Sequence, residues 1–338
     1  MTSAAHRGRA PRVLVTGGDG QLGRSLRALA DPHTDTGYIF ASRADLDITD
    51  NDAIVHWLDA HPADCLINAA AYTAVDRAAS EPELAMAINA QAPGLLARHC
   101  HERGIRLLHV STDYVFDGRA DRPYRETDPV APLNTYGRGK WLGEQAVLRA
   151  APDAIVLRTS WVFSAWGTNF VHTMLRLGAQ HDRLRIIDDQ IGGPTWAGHL
   201  AQALDRLTRL AVVPTIKAPQ GESSSPMGAR WSTEPAAGIP GGVYHFAGSP
   251  WVSWYGFARE IFTQAHDLGL IGRIPVLEAI GSADWPSPEP RPANSRLDCA
   301  RLESLLGPLE RDWRDGLRQV LTYNASLPFN QRPRPWHA

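Results

Sequence analysis

From Arg12 to about Phe163, short apolar runs alternate with segments of helical period. "RVLVT", "YIFA", "CLIN", "RLLHV" and "AIVLRT" are apolar throughout, which predicts buried parallel strands rather than the one-faced alternation of an antiparallel sheet. Between them lie "GQLGRSLRALA", "DNDAIVHWLDAH" with Asp50 as candidate N-cap, and "SEPELAMAINAQAPGLLARHCHERG". The last has Ser80 as candidate N-cap, Gly104 just past its end, and a Pro93 that should bend or split it. Beyond Phe163 the pattern loosens into helices around 168–178 and 197–210, a strand "VYHFA", a helix "SWYGFAREIFTQA", and two terminal helices after "NSRLD" and "RDW". The fold expected is α/β, a doubly wound parallel sheet over 12–163 with a smaller C-terminal lobe over 164–325, some of whose elements return to the sheet. Residues 1–11 and 326–338 read as unstructured tails. A Pro-, Gly- and Ser-rich stretch at about 213–242, without apolar period, reads as a flexible insert.

Composition narrows the class. With 338 residues the chain can bury a substantial core, and a formal net charge of -2 gives no basic stripe for nucleic acid or an anionic membrane. No apolar run approaches the roughly 20 residues of a membrane span, and "MTSAAHRGRAP" has no apolar signal segment, so a cytoplasmic protein with small-molecule partners is expected. Cys65, Cys100 and Cys299 are far apart and read as reduced structural thiols. The thirteen histidines never fall into a metal-ligand spacing, so no built-in transition-metal site is expected.

"VLVTGGDGQLGRSL" places Gly17, Gly20 and Gly23 three apart, after the first strand and at the start of the first helix. Glycine allows the tight turn and lets backbone N–H groups approach a pyrophosphate at the positive helix end, the Rossmann-type seat of a dinucleotide. The G-x-x-G-x-x-G spacing resembles the short-chain dehydrogenase/reductase branch. The second strand ends in Ala41, Ser42 and Arg43 with no carboxylate for the adenine ribose. A cation and a hydroxyl suit a 2′-phosphate and favour NADPH, with NADH as the alternative and Arg43 otherwise a solvated surface charge. Asp47 and Ile48 of "DLDITD" offer an adenine edge contact. The small residues of "NAAAYT", Asn68 to Thr73, would let a nicotinamide ribose lie close to the backbone.

Ser111 and Thr112 of "HVSTDYVFDG" lie at the C-terminal end of the "RLLHV" strand, where open α/β sheets place ligands. Tyr136 and Lys140 follow at i and i+4 on one helical face. The set Thr112, Tyr136 and Lys140 resembles the catalytic arrangement of short-chain dehydrogenases. Carbonyl reduction needs a hydride on carbon and a proton on oxygen. Tyr136 would supply the proton, Lys140 would ease phenolate formation and hold the nicotinamide ribose, and Thr112 would donate to the carbonyl oxygen.

At this level of detail the chain resembles the dTDP-4-dehydrorhamnose reductase family of extended short-chain dehydrogenases. The resemblance is carried by "GGDGQLG", "NAAAYTAVDRAASEPELAMAINA", "HVSTDYVFDG", "APLNTYGRGKWLGE", "LRTSWVF", "DDQIGGPTWAGHLA", "VYHFAGSPWVSWYGFAREIF" and "RPANSRLD". It implies reduction of the 4-keto group of dTDP-4-dehydro-β-L-rhamnose to dTDP-L-rhamnose with NAD(P)H, a step toward cell-surface polysaccharide. It further implies that Gly20, Gln21, Leu22, Asp47, Ile48, Ala70, Ala71 and Tyr72 line the cofactor, and that Thr112, Asp113 and Trp161 contact the sugar. Trp161 has its own rationale, an apolar ring against a deoxysugar face, or else it is a core tryptophan. Some relatives form a Mg²⁺-bridged dimer; the full acidic set is not placed here, so Mg²⁺ and the choice between monomer and homodimer stay open. One alternative is another nucleotide-sugar short-chain dehydrogenase, dehydratase or epimerase of the same fold; the dehydratases typically carry Asp-Glu after the threonine, whereas here Asp113 precedes Tyr114, which fits simple reduction better. A non-catalytic NADP-binding regulatory subunit of the same fold is the other alternative, and an intact Thr112, Tyr136 and Lys140 argues against it.

Overall fold

A computed structural model describes residues 11–30, 36–211, 239–285 and 287–326. The first half alternates as β1 (Arg12–Thr16), α1 (Gln21–Leu29), β2 (Gly37–Ala41), α2 (Asn51–Ala60) and β3 (Cys65–Asn68). It continues with α3 (Val75–Ala78), α4 (Pro82–Met86), α5 (Ala92–Glu102), β4 (Arg106–Thr112), α6 (Thr135–Ala150) and β5 (Ile155–Thr159). Then follow β6 (Val162–Phe163), α7 (Phe170–Gln180), β7 (Arg183–Ile187), β8 (Ile191–Gly192), β9 (Thr195–Trp196) and α8 (Ala197–Ala211). The chain ends in β10 (Gly242–His245), β11 (Val252–Ser253), α9 (Trp254–Asp267), β12 (Val276–Ile280), β13 (Asn294–Ser295), α10 (Ala300–Leu306) and α11 (Trp313–Ser326).

Six strands form one parallel sheet in the order β2-β1-β3-β4-β5-β10. The strand order reverses between β1 and β3, so the loops leaving their C-terminal ends diverge and open a crevice there. This is a Rossmann-type fold. The strands' odd and even side chains feed two cores. Val13, Val15, Ile67 and Leu157 pack with α1 and α8. Leu14, Leu66, Leu107 and Val156 pack with α2, α5 and α6. The "VYHFA" segment supplies β10, which pairs with β5 and returns to this sheet. As an edge strand β2 is less covered than its apolar run implies, and Ile39 is exposed.

Asp50 caps α2, accepting from Asp52 N and Ala53 N. Ser80 is not the cap expected of it: Glu81 takes that place before α4, and the Ser80 hydroxyl turns back to the Arg77 carbonyl. The long helical stretch is indeed divided, through a π-helical turn at Ala87–Gln91 just before Pro93, whose ring nitrogen has no proton for the helix ladder. Gly104 follows α5 with φ +66°. The remaining elements include a third core, where Val171, Leu175, Phe257, Phe262, Trp313 and Leu317 of α7, α9 and α11 meet. Small strand pairs, β7 with β12 and β6 with β9, edge it. The flexible insert expected at 213–242 lies outside the described residues except for its last four, where Ile239 is buried.

Candidate active site

The turn after β1 is shaped by what a side chain would hit. Gly17 has φ +71°, and a Cβ there would lie 2.7 Å from the Ala70 amide nitrogen. The β1 and β3 loops therefore touch through bare backbone. Gly20 is the extended residue before α1, with no side-chain cap and no acidic residue in the first turn, so the helix's free N–H groups face the crevice. Together they form a cradle that fits a dinucleotide pyrophosphate.

A cleft of about 720 Å³ runs from this turn across the sheet ends. Gly17, Gly20, Gln21, Leu22, Arg43, Asp47, Ile48, Ala70, Ala71, Thr112, Asp113, Tyr136, Lys140 and Trp161 all line it. Tyr72 is not on its wall: its hydroxyl donates to Glu81 Oε2 at 2.7 Å, and its backbone exchanges hydrogen bonds with the Asn89 side chain. Gly167 and Thr168 join the wall from beyond Phe163, which the motifs did not indicate. At the far end of β2 the Ser42 hydroxyl donates to Asp45 Oδ2 at 2.7 Å, so of the expected pair only the Arg43 cation is free of a local hydroxyl–carboxylate bond. Asp47 accepts from Thr49 N and Oγ1, which holds its carboxyl below the usual range.

Thr112 ends β4 and its hydroxyl donates to Asp113 Oδ1 at 3.0 Å, while accepting from Tyr114 N. Asn134 caps α6 through Gly137 N and so starts the helix beside the strand end. That places Tyr136 on the first turn, its ring edge-on to Tyr114, centroids 5.5 Å apart. Burial pushes the Tyr136 phenol up to about 12, with the Thr112 hydroxyl pulling the other way. The lysine charge was expected to ease phenolate formation. In the structure burial dominates and the Asp113 carboxylate adds to it, while Lys140 Nζ donates to the Val110 carbonyl at 2.8 Å and lies 3.4 Å from His109 Nε2. Burial lowers Lys140 itself to about 8, against the pull of Glu144. Tyr136 is thus a neutral phenol at neutral pH, the protonation state a proton donor needs.

Sequence reasoning missed the ionic support beneath this set. Glu144, one turn past Lys140 and fully buried, receives Arg158 Nε at 2.9 Å, Arg158 Nη2 at 2.7 Å and the Ser111 hydroxyl. The i+4 step in "KWLGE" was its available signal. The network ties α6 to β4 and β5, fixing the helix that carries Tyr136 and Lys140. Trp161 takes φ +48°, a strained value for a tryptophan, and stacks on Trp254 with centroids 3.5 Å apart.

Comparison with known proteins agrees with this geometry. The family model described as RmlD substrate binding domain matches residues 11–218 and 227–325. A dTDP-4-dehydrorhamnose reductase of Aggregatibacter actinomycetemcomitans is 39% identical over 312 residues, covering 92% of this chain and 99% of its own. Among solved structures, a dTDP-4-dehydrorhamnose reductase of Clostridium acetobutylicum superposes with TM-score 0.78 at 31% identity, over 92% of this chain and 99% of that one. One of Bacillus anthracis in complex with NADP gives 0.79 at 28% identity, over 93% and 99%. The cradle, the cleft and these likenesses converge: the chain belongs to the dTDP-4-dehydrorhamnose reductase family.

Proposed function

We propose that this protein reduces the 4-keto group of dTDP-4-dehydro-β-L-rhamnose to give dTDP-L-rhamnose, with NADPH as the preferred donor. The observation that carries the reading is the meeting of Thr112, Tyr136 and Lys140 in one cleft with the glycine cradle. A bound dinucleotide supplies the hydride that reaches the carbonyl carbon. Gly17 and Gly20 would seat its pyrophosphate, and Lys140 its nicotinamide ribose. Tyr136 gives its phenolic proton to the substrate oxygen. Thr112 and Asp113 hold the sugar, and Trp161 packs on its apolar face. In this reading residues 12–163 carry the cofactor seat and 164–325 most of the sugar pocket. The three buried free thiols support a reducing, cytoplasmic setting.

The test uses purified protein, NADPH and the keto sugar generated in situ, following absorbance loss together with the nucleotide-sugar product. Tyr136→Phe keeps the ring and should lower kcat by about 10²–10⁴-fold with cofactor binding intact. Wild-type protein that leaves NADPH unoxidised, or a Tyr136→Phe variant with normal turnover, overturns the proposal. The cofactor choice rests on Arg43. Arg43→Asp should shift the kcat/KM ratio from NADPH toward NADH, and an unchanged ratio would remove Arg43 from the site.

A further inference from the structure

A row of polar side chains crosses the sheet beneath the cleft. Thr16, Asn68 and His109 are register partners on β1, β3 and β4, each at most 1% exposed. Their hydrogen bonds have a fixed sense. Asn68 Oδ1 accepts from the Thr16 hydroxyl at 2.7 Å and from the Ala70 backbone N–H at 3.2 Å. A backbone N–H only donates, so that atom is the amide oxygen, and the amide nitrogen faces His109 Nδ1 at 3.0 Å. An amide nitrogen only donates as well, so Nδ1 is an acceptor. A neutral imidazole with a bare Nδ1 carries its proton on Nε2, which lies 3.4 Å from Lys140 Nζ. Burial and then the neighbouring Lys140 hold His109 well below the usual range, so the ring stays neutral.

As an ammonium, Lys140 can satisfy the Val110 carbonyl but sets donor against donor at His109. As an amine it satisfies both, donating to Val110 and accepting from Nε2–H. We infer that His109 is a positioning residue for Lys140, locked by Asn68 as the Nε2–H tautomer so that it favours release of the lysine proton. Composition points the same way: Lys140 and Lys217 are the only lysines in the sequence, beside 32 arginines. A fixed cation at this place could have been an arginine, which never gives up its proton.

The other charged and titratable groups around Lys140 do not remove this bias. Glu144 of α6 favours the ammonium, but Arg158 of β5 and Ser111 of β4 already occupy its carboxylate. Tyr136 of α6, with Tyr114 and Asp113 after β4, complete the cleft side. On α3 and α4, Asp76 is paired with Arg291, and Glu81, just before α4, with Arg77. Resting on the proposed reduction, the consequence is chemical. A lysine able to release its proton near neutral pH can restore the phenolate left at Tyr136, whereas a permanent ammonium can only polarise it.

The test reads the free protein by NMR and so does not depend on substrate. With ¹⁵N-histidine, the signal lost in His109→Gln should show the Nε2–H pattern in wild type and switch to Nδ1–H in Asn68→Asp, whose carboxylate can only accept. With ¹³C-lysine just two side chains report, and the Lys140→Met spectrum tells them apart. Lys140 should titrate near 8 in wild type and about one unit or more higher in both Asn68→Asp and His109→Gln, which present an acceptor to the ammonium. An Nδ1–H tautomer in wild type overturns the inference even if the variants fail to fold. So does an unmoved Lys140 titration in variants with normal melting. An Nε2–H tautomer in a protein that reduces no keto sugar would instead sink the proposed function and leave this lock standing.

Discussion

Asp113 shows what one side chain costs and supplies. It is 2% exposed, with Oδ1 accepting from Thr112 and Oδ2 buried without a hydrogen-bond partner among the described residues. Burial pushes its carboxyl from 3.8 up to about 6, with Ser295 and Thr112 pulling back. The folded protein therefore binds this proton more tightly than the unfolded chain, and the group favours folding as pH falls from 6 toward 4 and opposes it at pH 7. The gap corresponds to roughly 3 kcal/mol. Moving from pH 7.5 to 4.5 should shift the stability difference between wild type and Asp113→Asn by about 2 kcal/mol in favour of wild type, measured by denaturant unfolding at both pH values. Equal differences at the two pH values would show that Asp113 does not titrate there. A charged, half-satisfied carboxylate on the cleft wall is a strong acceptor for a sugar hydroxyl, so the same variant should raise KM for the nucleotide sugar.

At the scale of elements, α6 owes its position to glycine. A Cβ at Gly143 would collide with the Asn89 carbonyl oxygen of the π-helical turn. In an exposed helix, Gly→Ala stabilises by up to about 1 kcal/mol. Here a backbone oxygen cannot rotate aside, and overpacking costs about 1–3 kcal/mol, so the collision wins. Gly143→Ala should lower Tm by several degrees and also lower kcat, because the helix carrying Tyr136 and Lys140 is displaced; a higher Tm would contradict the packing. Little of this was legible in the sequence. Tyr136 and Lys140 stood out because i, i+4 spacing is local, as did the glycine turn and the Asp50 cap. The π turn did not: its Asn89 side chain bonds the Tyr72 backbone, 17 residues away, a contact no local spacing displays. Tyr72 is decided in the same way by a partner off the motif, its hydroxyl donating to Glu81 rather than facing the cleft. The His109 tautomer was hidden too, because strand register, which no local pattern encodes, sets Asn68 beside it.

Across the whole molecule, Gln21 of the glycine turn hydrogen-bonds to elements beyond Phe163, in addition to the packing of α1 on α8. Gln21 opens α1, and its Oε1 accepts from Ser164 Oγ and Asn169 Nδ2, both at 3.0 Å. Asn169 is also the N-cap of α7, its Oδ1 accepting from His172 N. One asparagine thus starts a helix of the third core and grips the first helix of the sheet, with Gly167 and Thr168 beside it on the cleft wall. Gln21→Leu keeps the volume and deletes the acceptor. Two hydrogen bonds at about 1 kcal/mol each suggest a stability loss of roughly 1–2 kcal/mol. Because the two walls of the cleft would no longer be registered, KM should rise for cofactor and sugar together. Asn169→Ala should cost about 1 kcal/mol more, since it also uncaps α7. If both residues act through the same latch, the double variant should cost less than the sum of the single ones, because the Asn169–Gln21 bond is shared and only the Ser164 bond to Gln21 is lost in addition to Asn169→Ala. Full additivity in denaturant unfolding would mean that Gln21 and Asn169 stabilise separate parts of the molecule, and a rise in KM for only one ligand would confine Gln21 to that ligand's wall.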